Sequence, residues 1–190
     1  SRRRHTRYPL VTGVQTCALP ILQQLQQHRR LDRPLLIDKK PANFFHVGLI
    51  RLILPRARIV EVRRHPAACC VSIFKSFSPQ GVLALDELGR VHRDYLALMD
   101  HFHAVQPGAI HRLNYEDLVA QPEAEIRRLL DALGLPFDEA CLRFHETRRH
   151  VLTPSSEQVR QPLHGDAVDH WRHYQPWLAP LRQALGPLAD

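Results

Sequence analysis

Apolar and polar residues alternate along the first half of the chain in a way that predicts strands and helices in turn. Residues 34–38 (PLLID) form a brief apolar run, and residues 57–62 (ARIVEV) are rich in β-branched side chains, as buried strands are. A helical pattern follows each run and begins at a proline, Pro41 in one case and Pro66 in the other. This strand–helix–strand–helix order over residues 34–77 predicts a parallel sheet covered by helices, that is, an α/β fold.

The second half of the chain is predicted to be mainly helical. The longest helical pattern covers residues 84–105, where apolar side chains recur at intervals of three and four. These side chains are Leu85, Leu88, Val91, Tyr95, Leu98 and Phe102. A third strand is predicted over 109–115 and a helix over 123–133. Residues 146–165 lack a period and predict a long loop, and a last helical stretch covers about 166–186.

Residues 1–20 differ from the rest of the chain. They contain two prolines, no acidic residue and no helical or strand period. They also resemble a translated sequencing-adapter read-through, so we expect this segment to be a non-native or disordered tail. The folded domain is then expected to cover residues 21–190 and to begin with a short amphipathic helix over 21–31.

Charge and cysteine usage narrow the class of protein. Four arginines of the tail supply more than half of the formal net charge of +7, and the smaller excess elsewhere suits an enzyme with a polyanionic cosubstrate rather than a nucleic-acid partner. The four cysteines and thirteen histidines show no metal-ligand spacing, so we predict no metal site, and the thiols indicate a reducing, cytoplasmic location. No apolar run approaches the ~20 residues of a membrane span. The oligomeric state is not predicted.

The most informative motif is VRRHPAACCVS, at residues 62–72. It places Arg64 at the carboxyl end of a predicted strand and next to a helix start, the edge where open α/β sheets bind ligands. A guanidinium is well shaped to hold a phosphate, and the hydroxyl of Ser72 could add one hydrogen bond. On chemistry alone, a surface arginine and a helix-face serine are the more common interpretation.

Three further motifs follow the same logic. IDKKPANF, at residues 37–44, puts Lys39 after a predicted strand and on the same edge as Arg64. NYEDL puts Tyr115 after another strand, and Glu116 is then a helix-start acid or a structural partner. Residues 153–171 contain serine, threonine, glutamine and glycine without a period, which by composition predicts only a flexible loop.

Taken together in this order, the motifs resemble those of sulfotransferases that use 3′-phosphoadenylyl sulfate (PAPS). The most similar members are the bacterial enzymes associated with tetratricopeptide repeats and the tyrosylprotein sulfotransferases. The resemblance implies a three-layer fold like that of P-loop NTPases, with a parallel sheet flanked by helices. It also implies that Arg64 and Ser72 hold the 3′-phosphate of the nucleotide and that Lys39 approaches the sulfuryl group. Many members have an acid or an amide where this chain has His65.

The resemblance extends to the adenine end of the nucleotide and to the long loop. It implies that Tyr115 contacts the adenine and that the loop closes over PAPS. The loop residues expected to contact the cosubstrate are Ser155, Ser156, Gln158, Val159 and Arg160. Ser155 is also expected near the transferred group, so Lys39 and Ser155 are the candidate catalytic residues. His170 stands where the family commonly has a basic residue before a tryptophan.

Two features of the family have no match in this sequence. Its phosphosulfate loop, similar to P-R-S-G-T-T, is not found in residues 1–34, and neither is its general base. We therefore expect an N-terminally truncated chain without the first strand, whose intact parent transfers a sulfuryl group to a hydroxyl or amine of a protein, a polysaccharide or a small molecule. The fragment itself is expected to be inactive. A kinase-like nucleotide-binding domain, a binding module for anionic polymers and a non-functional gene fragment stay open as alternatives.

Overall fold

A computed structural model describes residues 35–77, 84–146 and 158–189 of this chain. It divides the chain into two compact units, Ser1–Ile59 and Val60–Asp190. Each unit is described below by itself. The helix predicted over residues 21–31 lies outside the described residues.

The described part of the first unit is a helical segment preceded by an extended one. Residues 35–40 have no regular secondary structure, so the strand predicted over 34–38 is wrong for the residues that are described. The apolar side chains of this run are exposed, and without a buried face the run gains nothing from pairing as a strand. A 3₁₀ helix, Pro41–His46, then leads into helix α1, Val47–Ile53. Pro41 favours this start because its fixed φ and missing N–H suit the first helical position.

The second unit contains a small parallel sheet. Strand β1, Ile59–Arg63, pairs with strand β2, Ile110–Asn114, and these two strands are the whole sheet within the described residues. Both lie where β-branched and apolar runs predicted strands, over 57–62 and 109–115. The described residues are mostly helical and compatible with the α/β class, but they do not show the larger three-layer sheet implied by the resemblance.

Helices follow both strands directly. Helix α2, Pro66–Phe77, comes two residues after β1, and helix α3, Leu85–Val105, leads back to β2. Helix α4, Tyr115–Ala120, then starts where β2 ends, and helix α5, Pro122–Leu133, follows it. Gly134 ends α5 with a φ of 70°, a left-handed conformation that glycine adopts without steric cost. These elements confirm the helices predicted from the apolar periodicity.

The C-terminal part consists of short turns and one packed helix. Its 3₁₀ segments are Glu139–Cys141, Phe144–Glu146, Gln158–Arg160, His170–Trp177 and Gly186–Ala189. Helix α6, Asp166–Asp169, and helix α7, Ala179–Leu185, lie among them. The helical stretch predicted over about 166–186 is therefore present but broken, because prolines interrupt its backbone hydrogen bonding.

The core of the second unit lies between α2, α3 and α7. Its buried members are Ala67, Ala68, Cys70, Val71, Leu88, Trp171, Leu178, Leu181, Leu185 and Ala189. Helices α3 and α7 approach most closely at Gly89, where an added Cβ would lie 2.7 Å from the Cβ of Ala184. The buried face of α3 therefore matches the predicted one only in part. Val91 is 50% exposed, whereas His92 and Met99 are buried.

Candidate functional site

The two arginines at the end of β1 have different partners. Residues two apart in a strand share a face, so Arg63 lies on the same face as Glu61. Its Nη2 donates to Glu61 Oε1 at 2.9 Å and to Asp100 Oδ1 at 3.0 Å. The guanidinium of Arg64 instead lies over the ring of Tyr115, 5.0 Å from the ring centroid. Arg63 is thus part of an internal ion-pair network, and the Arg64 guanidinium has an aromatic contact with Tyr115.

Glu61 is the centre of the network, and its side chain is only 2% exposed. Tyr95 donates its hydroxyl to Oε1 at 2.8 Å, while His103 Nε2 and Arg112 Nε donate to Oε2 at 2.8 and 3.0 Å. Burial alone would raise the pKa of Glu61, but the hydrogen bonds from His103, Tyr95 and Arg112 and the charge of Arg63 outweigh burial and hold this pKa at about 2. The ionised carboxylate therefore ties β1, β2 and α3 together.

Arg64 and Tyr115 lie at the carboxyl ends of the two strands. Because the strands are parallel, these ends meet at one edge of the sheet, and the cation–π contact between the two side chains spans it. The structure thus brings together two of the residues that the sequence selected. Both side chains are half-buried, so each keeps surface toward solvent.

His65, the next residue, is held from two sides. Its backbone N–H donates to Glu116 Oε1 at 2.9 Å. Its ring stacks on the indole of Trp171, with centroids 4.6 Å apart and planes 17° from parallel. Trp171 is itself a core residue, 5% exposed. The link between β1 and α2 is therefore fixed both by the start of α4 and by the C-terminal segment.

Ser72 is exposed on α2 and shares a helix face with Cys69, which lies three residues earlier. Burial raises the pKa of the Cys69 thiol, and the charge of Arg64 acts against that rise. A shared role for Arg64 and Ser72 stays a prediction.

The other predicted site residues are Lys39 and five residues of the long loop. Lys39 is exposed and belongs to the first unit. Ser155 and Ser156 lie outside the described residues. The turn Gln158–Arg160 packs against Phe144–Glu146, with Val159 half-buried and Arg160 exposed. Convergence of Lys39 and of the loop on Arg64 stays a prediction.

The strand-end edge offers two kinds of group to a ligand. Arg64 supplies a guanidinium and Tyr115 an aromatic face. A guanidinium suits a phosphate, and an aromatic ring suits a planar base. The arrangement is therefore suited to a nucleotide that carries a phosphate at the Arg64 end.

The described residues contain neither a metal-binding cluster nor a membrane-spanning helix. Residues 35–77, 84–146 and 158–189 contain no group of three or more His, Cys, Asp or Glu side chains arranged to hold a metal ion. Within those ranges, no helix combines the length and apolar character that crossing a bilayer requires.

Two structural roles were missed in the sequence. Glu61 was seen only as part of an apolar strand, although a lone acid in a β-branched run, two residues before an arginine, is a signal for a buried ion pair. Trp171 was placed in a helical stretch without its contact to His65, because that contact joins residues 106 positions apart.

Comparisons with known proteins show the family of this chain. The sulfotransferase family model matches residues 10–139, a range that includes Lys39, Arg64, Ser72 and Tyr115. An uncharacterized protein of Aquifex aeolicus (strain VF5) is 34% identical over 160 residues, which cover 81% of this chain and 21% of that protein.

Two mycobacterial proteins are similar over almost the same share of the chain. The omega-hydroxy-beta-dihydromenaquinone-9 sulfotransferases Stf3 of Mycobacterium bovis (strain ATCC BAA-935 / AF2122/97) and Mycobacterium tuberculosis (strain CDC 1551 / Oshkosh) are each 24% identical over 188 residues, or 87% of this chain. The chain spans 48% of the mycobacterial proteins' length and about a fifth of the Aquifex protein's. Since the family model covers more than half of the sequence, the chain belongs to the sulfotransferase family.

Proposed function

We propose that this chain binds PAPS and takes part in the transfer of its sulfuryl group to an acceptor hydroxyl or amine. The observation that carries the proposal is the pairing of Arg64 with Tyr115 at the carboxyl edge of the sheet. In the proposal, Arg64 and Ser72 hold the 3′-phosphate, and Tyr115 contacts the adenine end. The 3′-phosphate distinguishes PAPS from ordinary nucleotides, so the arginine that holds it sets donor specificity.

In the proposed reaction, the acceptor oxygen or nitrogen attacks the sulfur in line. A new bond to sulfur forms as the bond to the bridging phosphate oxygen breaks, and adenosine 3′,5′-bisphosphate leaves. Lys39 and Ser155 are proposed to offset the negative charge that grows on the leaving oxygen. The acceptor's proton passes to a general base that the sequence does not identify.

The acceptor is proposed at the level of its reacting group. The names of the mycobacterial relatives specify a hydroxylated dihydromenaquinone for those proteins. A hydroxyl acceptor is therefore the first to test with this chain. Protein, polysaccharide and small-molecule acceptors all carry such a group.

Calorimetric titration of the 190-residue chain with adenosine 3′,5′-bisphosphate tests the donor assignment. Hydrogen bonds to charged groups are worth about 1.5–3 kcal/mol, so Arg64→Ala should weaken binding at least about tenfold. Arg90→Ala is the matched control, because Arg90 is exposed and forms a surface ion pair with Asp86, one turn earlier on α3. The control should bind like the wild type.

Competition separates this function from a kinase-like one. Adenosine 3′,5′-bisphosphate should displace a bound nucleotide far better than ATP, which has no 3′-phosphate. Equal competition by ATP, or an Arg64→Ala variant with unchanged affinity, would overturn the proposal.

A further inference from the structure

Two successive residues at the end of β2 contact two successive residues at the end of β1. Tyr115 lies against the guanidinium of Arg64, and Glu116 accepts the backbone N–H of His65 at 2.9 Å. The two contacts join residues 51 positions apart, so they fix the edges of the sheet relative to each other. Arg64 and His65 themselves belong to neither strand nor helix.

We propose that Glu116 is a positioning residue that aims Arg64 at the 3′-phosphate by holding the backbone of His65. The inference rests on the proposed function of Arg64. The direction of the Arg64 side chain depends on the backbone torsions of the two-residue link, and a charge-assisted hydrogen bond to the second of these residues restricts them. The stack of His65 on the core residue Trp171 restrains the same link from the other side.

The charge of Glu116 allows the positioning role to be distinguished from direct electrostatic repulsion of the phosphate. The Glu116 carboxylate binds the backbone of His65, the residue next to Arg64, so its negative charge acts close to Arg64. A carboxylate in that neighbourhood repels a phosphate, so removing it should strengthen anion binding if charge were its only effect. Positioning predicts the opposite sign, because the loss of the hydrogen bond frees Arg64 to leave its productive direction.

Three substitutions separate the hydrogen bond from the charge. Glu116→Gln keeps an acceptor oxygen at the same reach and removes the charge. Glu116→Asp keeps the charge and shortens the reach by one methylene, and Glu116→Ala removes both. Asp117→Ala is the matched control, since Asp117 is the next residue, is exposed and accepts from Asn114 rather than from the link.

The measurement is calorimetric affinity of the 190-residue chain for adenosine 3′,5′-bisphosphate and for 5′-AMP, which lacks the 3′-phosphate. Glu116→Ala and Glu116→Asp should bind the bisphosphate about fivefold to tenfold more weakly, with 5′-AMP affinity changed by less than about twofold. Glu116→Gln should stay within about twofold for both ligands, and Asp117→Ala should not weaken either.

The outcomes distinguish this inference from the proposed function beneath it. If the wild type fails to prefer the bisphosphate, or Arg64→Ala binds it normally, the proposed function fails. If those results hold but Glu116→Ala binds as tightly as the wild type or more tightly, the positioning role is wrong. Should Glu116→Ala not fold, the Asp and Gln variants decide, because wild-type affinity in Asp with tighter binding in Gln would assign the effect to charge and overturn the positioning role.

Discussion

Replacing Glu61 by Gln should destabilise the second unit by about 3 kcal/mol at pH 7. The substitution keeps the size of the side chain but removes the charge that Arg63, Arg112, Tyr95 and His103 all contact. The pKa of Glu61 falls from an ordinary value of 4.5 to about 2 in the folded protein. At about 1.4 kcal/mol for each pH unit between those values, the ionised form stabilises the fold by about 3 kcal/mol.

The same numbers fix the pH dependence. Because the folded-state pKa is depressed, the stabilisation is complete above 4.5 and is lost as the pH falls toward 2. The difference between the wild type and Glu61→Gln should therefore shrink from about 3 kcal/mol at pH 7 to about 1 kcal/mol at pH 3.

Guanidinium chloride unfolding, followed by tryptophan fluorescence at both pH values, measures this difference. Glu123→Gln is the control, since Glu123 pairs with Arg127 on the surface of α5 and should contribute less than about 0.5 kcal/mol. A loss below about 1 kcal/mol at pH 7, or a difference that does not shrink on acidification, would refute the role assigned to Glu61.

Two further predictions concern the packing of α3. Gly89→Ala should lower the free energy of unfolding by up to about 2 kcal/mol, because its new Cβ would lie 2.7 Å from that of Ala184 and the better helix propensity of alanine offsets only part of the overlap. The double variant with Ala184→Gly should recover stability. A single variant as stable as the wild type in denaturant unfolding would contradict the close approach. His92→Leu should flatten the pH dependence of stability between 6.5 and about 4, because burial, helped by the charges of Arg63 and His65, lowers the pKa of His92 to about 4 and the unfolded chain takes up its proton first. An unchanged slope over that range would show that His92 does not contribute to acid sensitivity.

Local pattern was enough to predict most elements but not their orientation. Prolines and β-branched runs located β1, β2 and α2, since propensity and capping act within a few residues. The apolar run before Pro41 was wrongly assigned to a strand, because two leucines and an isoleucine suit a strand only where a buried face receives them. The buried face of α3 was predicted only in part, because the packing of Gly89 against α7 is a tertiary contact that the sequence pattern does not show.

The proximity of Arg64 and Tyr115 was predictable, whereas the contacts that support it were not. Arg64 and Tyr115 follow strands, and strand ends of a parallel sheet meet at one edge, so their proximity could be anticipated. The tie from Glu116 to His65 and the stack on Trp171 join distant parts of the chain. No periodicity or motif carries that information, because such contacts depend on how complete elements pack.

The burial of Glu61 also stabilises the register of the two-stranded sheet. Side chains in a strand alternate between faces, so a slip of β1 by one residue would carry Arg64 beneath α3 and turn Glu61 out toward solvent. Such a slip would break the Glu61–Arg112 ion pair between the strands and take the carboxylate away from Tyr95 and His103. Misaligned pairing of the strands is therefore unfavourable, and Arg64 reaches the carboxyl edge of the sheet in the native state.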